Sequence, residues 1–185
     1  MAFLSREIIL QMGFKYLGEN VLISEKASFY NVGNISIGNH VRIDDFCVLS
    51  AGEGGIEIGS YIHIAVYTSL IGKGKITLCD YVNLSSRVSI YSSNDDYSGE
   101  YMTNPMVPEQ LTKVRHEAVM LKEHVIVGSG TVILPSSILN RCAAIGALSL
   151  VNCEIPEFQI FAGVPAKFIK ERSRKIDEIE RKNFK

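Results

Sequence analysis

From Leu121 onward an aliphatic residue recurs at every sixth position, at Leu121, Val127, Ile133, Leu139, Ile145 and Val151. Four residues after most of these stands something smaller: Val125, Thr131, Ser137, Ala143 and Ser149. An α-helix repeats every 3.6 residues and a strand every two, so neither element alone produces this spacing. The same phase runs upstream through Ile37, Ile43 and Leu49, then Ile58, Ile64 and Leu70, then Leu78, Leu84 and Ile90. Each stretch holds short alternating runs of the type V-x-I or I-x-I, broken by Gly, Asn or Asp. That is the pattern of a short strand, a tight turn and another short strand. It predicts an all-β coil in which three strands and three turns make one flat-sided rung. The sixth-position aliphatics point inward and stack on the rung above, while the position four later fills a corner where only a small or medium side chain fits. Such a stack buries one continuous column and needs a cap at each end.

The caps are predicted from the flanks. Residues 4–13 read as a short helix, with Ser5 as N-cap, Glu7 adding first-turn charge and Gly13 at the C-terminal stop. The repeat starts weakly at Leu17, Val21, Ile23, Ala27 and Phe29. It is lost over residues 91–118, a segment with Asn, Asp, Ser, Gly and Pro. A loop that long inside a compact repeat is usually functional or disordered, and its tyrosines and methionines argue against simple disorder. After the last rungs, Pro165 suits a helix start, and 167–183 reads as a charged amphipathic helix carrying Phe168, Ile169, Ile176 and Ile179. The organisation is thus a helical cap over 1–16, a β-helix over 17–166 with the inserted loop 91–118, and a terminal helix over 167–185.

Composition narrows the picture without pointing to chemistry. The formal net charge of −1 gives no broad electrostatic case for nucleic acid. No apolar run reaches the roughly 18 residues of a membrane span, and the N-terminus lacks a secretory apolar region. Cys47, Cys79, Cys142 and Cys153 show no paired metal spacing, which fits reduced thiols in a cytoplasmic protein. Cys47 falls in the small-residue slot and reads as a core filler.

Repeat, excursion and the closing "VILPSSILNRCAAIGALSLVNCEIPEFQIFAGVPAKFIKER" together resemble the hexapeptide-repeat acyltransferases of the left-handed parallel β-helix type, nearest the galactoside and maltose acetyltransferases and their relatives in surface-polysaccharide synthesis. The resemblance implies acetyl-CoA as donor, no metal, and a homotrimer with active sites between copies. It implies an acetyl-CoA-dependent acetyltransferase acting on a sugar hydroxyl in surface-polysaccharide or lipopolysaccharide synthesis, with N-acetylation of an amino sugar nucleotide as the alternative. The coenzyme would lie along Gly128, Ser129, Ala147 and Leu148, with its phosphate end at Gly163, Pro165 and Lys167 and with Lys170 or Arg172 nearby. Leu148 replaces the usual glycine of that pattern.

The same resemblance breaks where a base is needed. The galactoside and maltose enzymes carry a His-Pro pair in the excursion; here Asp95 and Asp96 stand there. Of four histidines, His40 and His124 read as exposed turn residues and His116 as structural or solvent-facing. His63 differs, since it lies between the inward Ile62 and Ile64 and so points out from a flat face. One reading makes His63 the general base, oriented by Asp95 or Asp96 of the same or a neighbouring copy. The other makes it an interface residue, with the aspartates capping a turn. A third makes Asp95 itself the base or an acceptor ligand, with an amino sugar as substrate. Asn83, outward by alternation, and Tyr97, in the excursion, are candidate substrate contacts. Tyr101 and Met102 either wall the sugar or anchor the loop, and Arg87 reads as a solvated corner charge. A γ-carbonic-anhydrase-like zinc enzyme needs three converging histidines, and a non-catalytic β-helix scaffold needs none of these groups.

Overall fold

A computed structural model describes residues 2–184. The chain winds into a left-handed β-helix with three flat faces, formed by sheets of seven, eight and six short strands. The first face stacks Tyr16–Leu17, Ile35–Ile37, Ile56–Ile58, Ile76–Leu78, Val119–Leu121, Ile138–Leu139 and Glu154–Ile155. The second runs from Leu22–Ile23 through Val41–Ile43, Ile62–Ile64, Asn83–Leu84, Ile126–Val127 and Ala144–Ile145 to Gln159–Ala162. The third runs from Ser28–Tyr30 to Leu150–Val151. Pairing between rungs is parallel, and like residues meet: Ile35 and Ile37 stand beside Ile56 and Ile58.

The inward column is the predicted one. Ile37, Ile43, Leu49, Ile64, Leu70, Leu84, Ile90, Leu121, Val127, Ile133, Leu139 and Val151 are all fully buried. So are the small-slot residues Cys47, Thr68, Val88, Val125, Thr131, Ser137 and Ala143. Burial pushes the Cys47 thiol up to about 11, as a core filler requires. Thr131 and Ser137 each donate their hydroxyl to a backbone carbonyl, so these slots bury no unsatisfied polar group.

Most corners turn through a residue with positive φ, and most of these residues are not glycine. At the first corner, between the first and second faces, they are Asn20, His40, Tyr61, Tyr81, His124, Cys142 and Phe158. Left-handed backbone costs a side-chain-bearing residue about 1–2 kcal/mol, and here stacking offsets it. His40, Tyr61, Tyr81 and His124 form a ladder with ring centroids 4.7, 5.1 and 4.6 Å apart. At the second corner Phe46 stacks on Tyr67 at 5.0 Å and the Arg87 guanidinium lies 5.2 Å over Tyr67. Arg87 is therefore a member of this column.

The ends differ from the sequence expectation in one place. Helix α1, Arg6–Gln11, is capped by Ser5 Oγ, which accepts from the Ile8 amide at 3.4 Å; Gly13 follows at φ +81°, and Ile9 is buried on the core. At the other end, Lys167–Glu171 is a strand, paired antiparallel with Gln159–Ala162, and helix α2 spans only Lys175–Asn183. An unpaired strand at the end of the second face outweighs the helical spacing of its residues, because it offers a row of backbone groups to pair with. Helix α2 then returns to the first corner, where Phe184 packs edge-on against Tyr61 and Tyr81, and Glu180 accepts from His124 Nε2 at 3.0 Å. His124, expected in solvent, is buried by this contact, whereas His40 stays exposed.

Candidate active site

Along the second corner a strip of mostly small first-turn residues runs between two rows of larger side chains, and that difference in size makes it a shallow groove. The first residue of each turn there is Asp44, Ala65, Ser85, Gly128 and Gly146, each donating its amide to the carbonyl of the rung below. One bank is the column Phe46, Tyr67, Arg87, Gly130 and Leu148, all at positive φ. The other bank is the outward row of the second face, where Arg42, His63, Asn83, Ile126 and Ala144 stand side by side. The floor is small for a steric reason. A Cβ on Gly128 would stand 2.5 Å from the Ala147 nitrogen, and one on Gly146 would stand 2.8 Å from Ala162 Cβ.

The structure gathers most of the predicted coenzyme residues at this corner. Gly128 and Ser129 lie one rung from Ala147 and Leu148, with the Leu148 amide donating to the Ser129 carbonyl at 2.9 Å. Leu148 is exposed and covers the space a Gly130 side chain would take. Gly163, at φ +100°, Pro165 and Lys167 follow below, all exposed. Arg172 is the exception. Its Nη1 donates to the carbonyls of His124, Cys142 and Ala143 at 2.9, 3.0 and 3.4 Å, at the first corner. These bonds commit it to holding the terminal segment rather than to an anion at the second corner.

His63 stands outward between buried Ile62 and Ile64, beside Asn83 in the ladder. Its carboxylate partner is Asp44, whose Oδ2 lies 2.9 Å from His63 Nε2, while Asp44 Oδ1 accepts from Arg42 Nε at 2.7 Å. Burial alone would raise the Asp44 carboxyl, but the hydrogen bonds from Arg42 and His63 outweigh it and hold it below the usual carboxylate range. Asp44 was missed from the sequence. The signal for Asp44 was present: it directly follows an inward isoleucine, and one rung length separates it from His63.

Asp95, Asp96 and Tyr97 stand elsewhere in the chain. The excursion leaves at the third corner on an antiparallel stem, Ser93–Asn94 against Arg115–His116, where Ser93 Oγ and His116 Nδ1 are 2.8 Å apart. His116 is exposed on this stem, and the Lys113 ammonium lies 4.8 Å over the Tyr101 ring, which ties the loop to itself. Asp95 borders a cleft of about 650 Å³ with Lys73, Asn104, Lys113 and His116, and a second of about 350 Å³ with Asp96, Tyr97 and Arg115. Asp96 accepts from the Ser98 amide and hydroxyl at 3.0 and 2.6 Å, and these bonds lower its carboxyl. Tyr97 is 87% exposed. Within one chain, then, His63 and Asn83 share one site with the groove, while the aspartates and Tyr97 belong to the opposite edge of the prism. Among the described residues no group of three or more His, Cys, Asp or Glu side chains could hold a metal ion. No helix among them is long and apolar enough to cross a membrane.

The chain is 59% identical over 180 residues to the dTDP-4-amino-4,6-dideoxy-D-glucose acyltransferase of Escherichia coli, covering 97% of this chain and 94% of that protein. It belongs to the hexapeptide-repeat acyltransferase family. It is also 30% identical over 146 residues to the putative lipopolysaccharide biosynthesis O-acetyl transferase WbbJ of Escherichia coli K12, covering 75% of this acyltransferase and 69% of that one. Among solved structures it superposes on AntD, an N-acyltransferase from Bacillus cereus, with a TM-score of 0.94 and 45% identity over 97% of this chain and 95% of that one. That structure is a serine-to-cysteine variant in complex with dTDP-4-amino-4,6-dideoxyglucose and coenzyme A. No protein-family model matches the chain. The fold and the acyltransferase class read from the sequence agree with these relatives; the preference for a hydroxyl acceptor is not matched by AntD, an N-acyltransferase, nor by the Escherichia coli relative named for an amino sugar.

Proposed function

We propose that this acyltransferase moves an acetyl group from acetyl-CoA to the 4-amino group of a dTDP-linked 4-amino-4,6-dideoxy sugar, in the cytoplasm and in service of surface-polysaccharide synthesis. The observation that carries the reading is the 59% identity, over nearly the full chain, to an enzyme named for that acceptor. The chemistry of the excursion supports it. An amine already carries the lone pair that attacks the thioester carbonyl, so it needs a group that takes up a proton rather than one that strips a hydroxyl. A carboxylate among Lys73, Lys113 and His116, as Asp95 is, both attracts an ammonium and accepts its proton. The new C–N bond forms as the C–S bond breaks, and the coenzyme leaves as a thiol after gaining a proton.

The assembly we infer is a homotrimer with its sites between copies. Its support is that the candidate groups divide between two edges of one chain. The groove would take pantetheine along Gly128, Ser129, Ala147 and Leu148, with phosphates toward Gly163, Pro165 and Lys167. A neighbour's excursion would bring Asp95, Asp96 and Tyr97 over the groove, opposite His63 and Asn83. Phe46, Tyr67 and Leu148, exposed by 45, 49 and 74%, are the apolar edge such a neighbour would cover.

The deciding experiment offers purified protein acetyl-CoA with dTDP-4-amino-4,6-dideoxyglucose or with dTDP-glucose. Thiol release should accompany a product one acetyl group heavier with the amino sugar only. Comparable kcat/KM on dTDP-glucose would restore the hydroxyl acceptor and sink this reading.

A further inference from the structure

Asp44 joins two outward side chains that the rung geometry places together. Arg42 is the outward residue of the strand Val41–Ile43 and the ladder partner of His63, and Asp44 is the first residue of the turn that follows it. Each carboxylate oxygen of Asp44 serves a different partner, Oδ1 taking Arg42 Nε at 2.7 Å and Oδ2 facing His63 Nε2 at 2.9 Å. The Asp44 side chain is only 8% exposed, and its backbone is fixed by its amide bond to the Ile64 carbonyl at 3.0 Å. The Arg42 guanidinium in turn lies 5.6 Å over the Phe3 ring. The carboxylate therefore has one position, and it fixes the ring it touches.

We infer that Asp44 is the positioning residue for His63, fixing the ring with its Nε2 proton on the carboxylate and leaving Nδ1 to serve as the acceptor at the head of the groove. An ionised carboxylate only accepts, so the ring atom facing it must be the one that carries hydrogen. His63 Nδ1 has no partner among the described protein groups, and the side chain is 42% exposed. The charged groups that face this ring are Asp44 and Arg42; its ladder neighbour on the other side, Asn83, is neutral. Asp45, next along the corner, is engaged by the Ser24 hydroxyl and the Lys26 ammonium. An acceptor at Nδ1 suits a site whose substrate brings an N–H, so the inference rests on the proposed amine acylation with His63 in the site.

Asp44→Asn tests it with little change of shape. The amide has one oxygen, which the Arg42 cation claims, and its NH₂ then faces His63 Nε2. That arrangement moves the ring proton to Nδ1 and removes the acceptor. Nitrogen-15 spectra of histidine-labelled full-length protein should show the Nε2–H tautomer for His63 in the wild type and Nδ1–H in Asp44→Asn. The variant should keep its KM for acetyl-CoA but lose at least tenfold in kcat, and the Asp44→Asn/His63→Ala double variant should lose no more kcat than His63→Ala alone. A wild-type ring protonated on Nδ1 overturns the inference. So does unchanged kcat in Asp44→Asn when His63→Ala is inactive, an outcome that leaves His63 in the reaction. Full activity of His63→Ala instead removes His63 from the reaction, and the role of Asp44 falls with it.

Discussion

Gly128→Ala tests whether the groove is narrow for the reason its geometry gives. The added Cβ would meet the Ala147 nitrogen at 2.5 Å, its Cα at 2.8 Å and the Gly146 carbonyl carbon at 2.8 Å. All three atoms are backbone of the next rung, so no side chain can swing aside. Restoring ordinary carbon contacts of about 3.5 Å needs the two rungs to part by roughly 1 Å. The Gly128 amide bond to the Ile145 carbonyl, 2.8 Å long, spans that gap and would stretch beyond bonding distance. One lost hydrogen bond costs about 1 kcal/mol, and overpacking adds about 1–3 kcal/mol. For a chain of this size each kcal/mol moves Tm by about 2–4 °C, so the variant should melt some 5–15 °C lower by calorimetry. Gly33→Ala is the control: nothing lies within 4 Å of its Cβ, and a shift under about 2 °C is expected. A Gly128→Ala protein melting within 2 °C of wild type would refute the steric account of the groove floor.

Two further outcomes follow from the corners and the core. Tyr81, at φ +63° between the Tyr61 and His124 rings, should tolerate glycine better than alanine. Both substitutions lose the stacking, worth about 0.5–1.5 kcal/mol per pair, but only glycine relieves the backbone. The urea midpoint of Tyr81→Gly should therefore exceed that of Tyr81→Ala, and the reverse order would deny that the corner is strained. Cys47 is buried with its thiol pushed up to about 11, whereas Cys153 is exposed. Because only the thiolate reacts, Cys47 stays protonated far above neutrality. At pH 8 iodoacetamide should label Cys153 in the native protein and Cys47 only after unfolding, as read by peptide mass spectrometry; native labelling of Cys47 would contradict its place in the core.

The inward column was legible in the sequence because burial selects one kind of side chain at one spacing, and Leu49, Ile64 and Val127 obey it without exception. The face row was legible too: alternation alone turned His63 and Asn83 outward. What the spacing could not express is contact between rungs at the corners. Tyr61, Tyr81 and His124 are separated in sequence by a rung, or by a rung plus the excursion, and no local window shows that they stack. The place of Asp44 one rung from His63 was readable, but its contacts with Arg42, two residues earlier, and with His63, a full rung away, were not. Lys167–Glu171 misled for a different reason. Its residues carry a helical period that continues into α2, and only the open strand at the end of the second face, a tertiary fact, turned them into a strand.

That closing strand also sets how the molecule can meet copies of itself. A parallel coil whose ends stayed open could add rungs from another chain, tip to tail. Here the second face ends on a strand running the opposite way, with Gln159 beside Glu171 and Ala162 beside Lys167, and the far end carries α1 across the core. The number of rungs is thus a fixed property of one polypeptide. The axis is thereby closed to added rungs, and the surfaces left open are the flanks, where the groove and the excursion both lie.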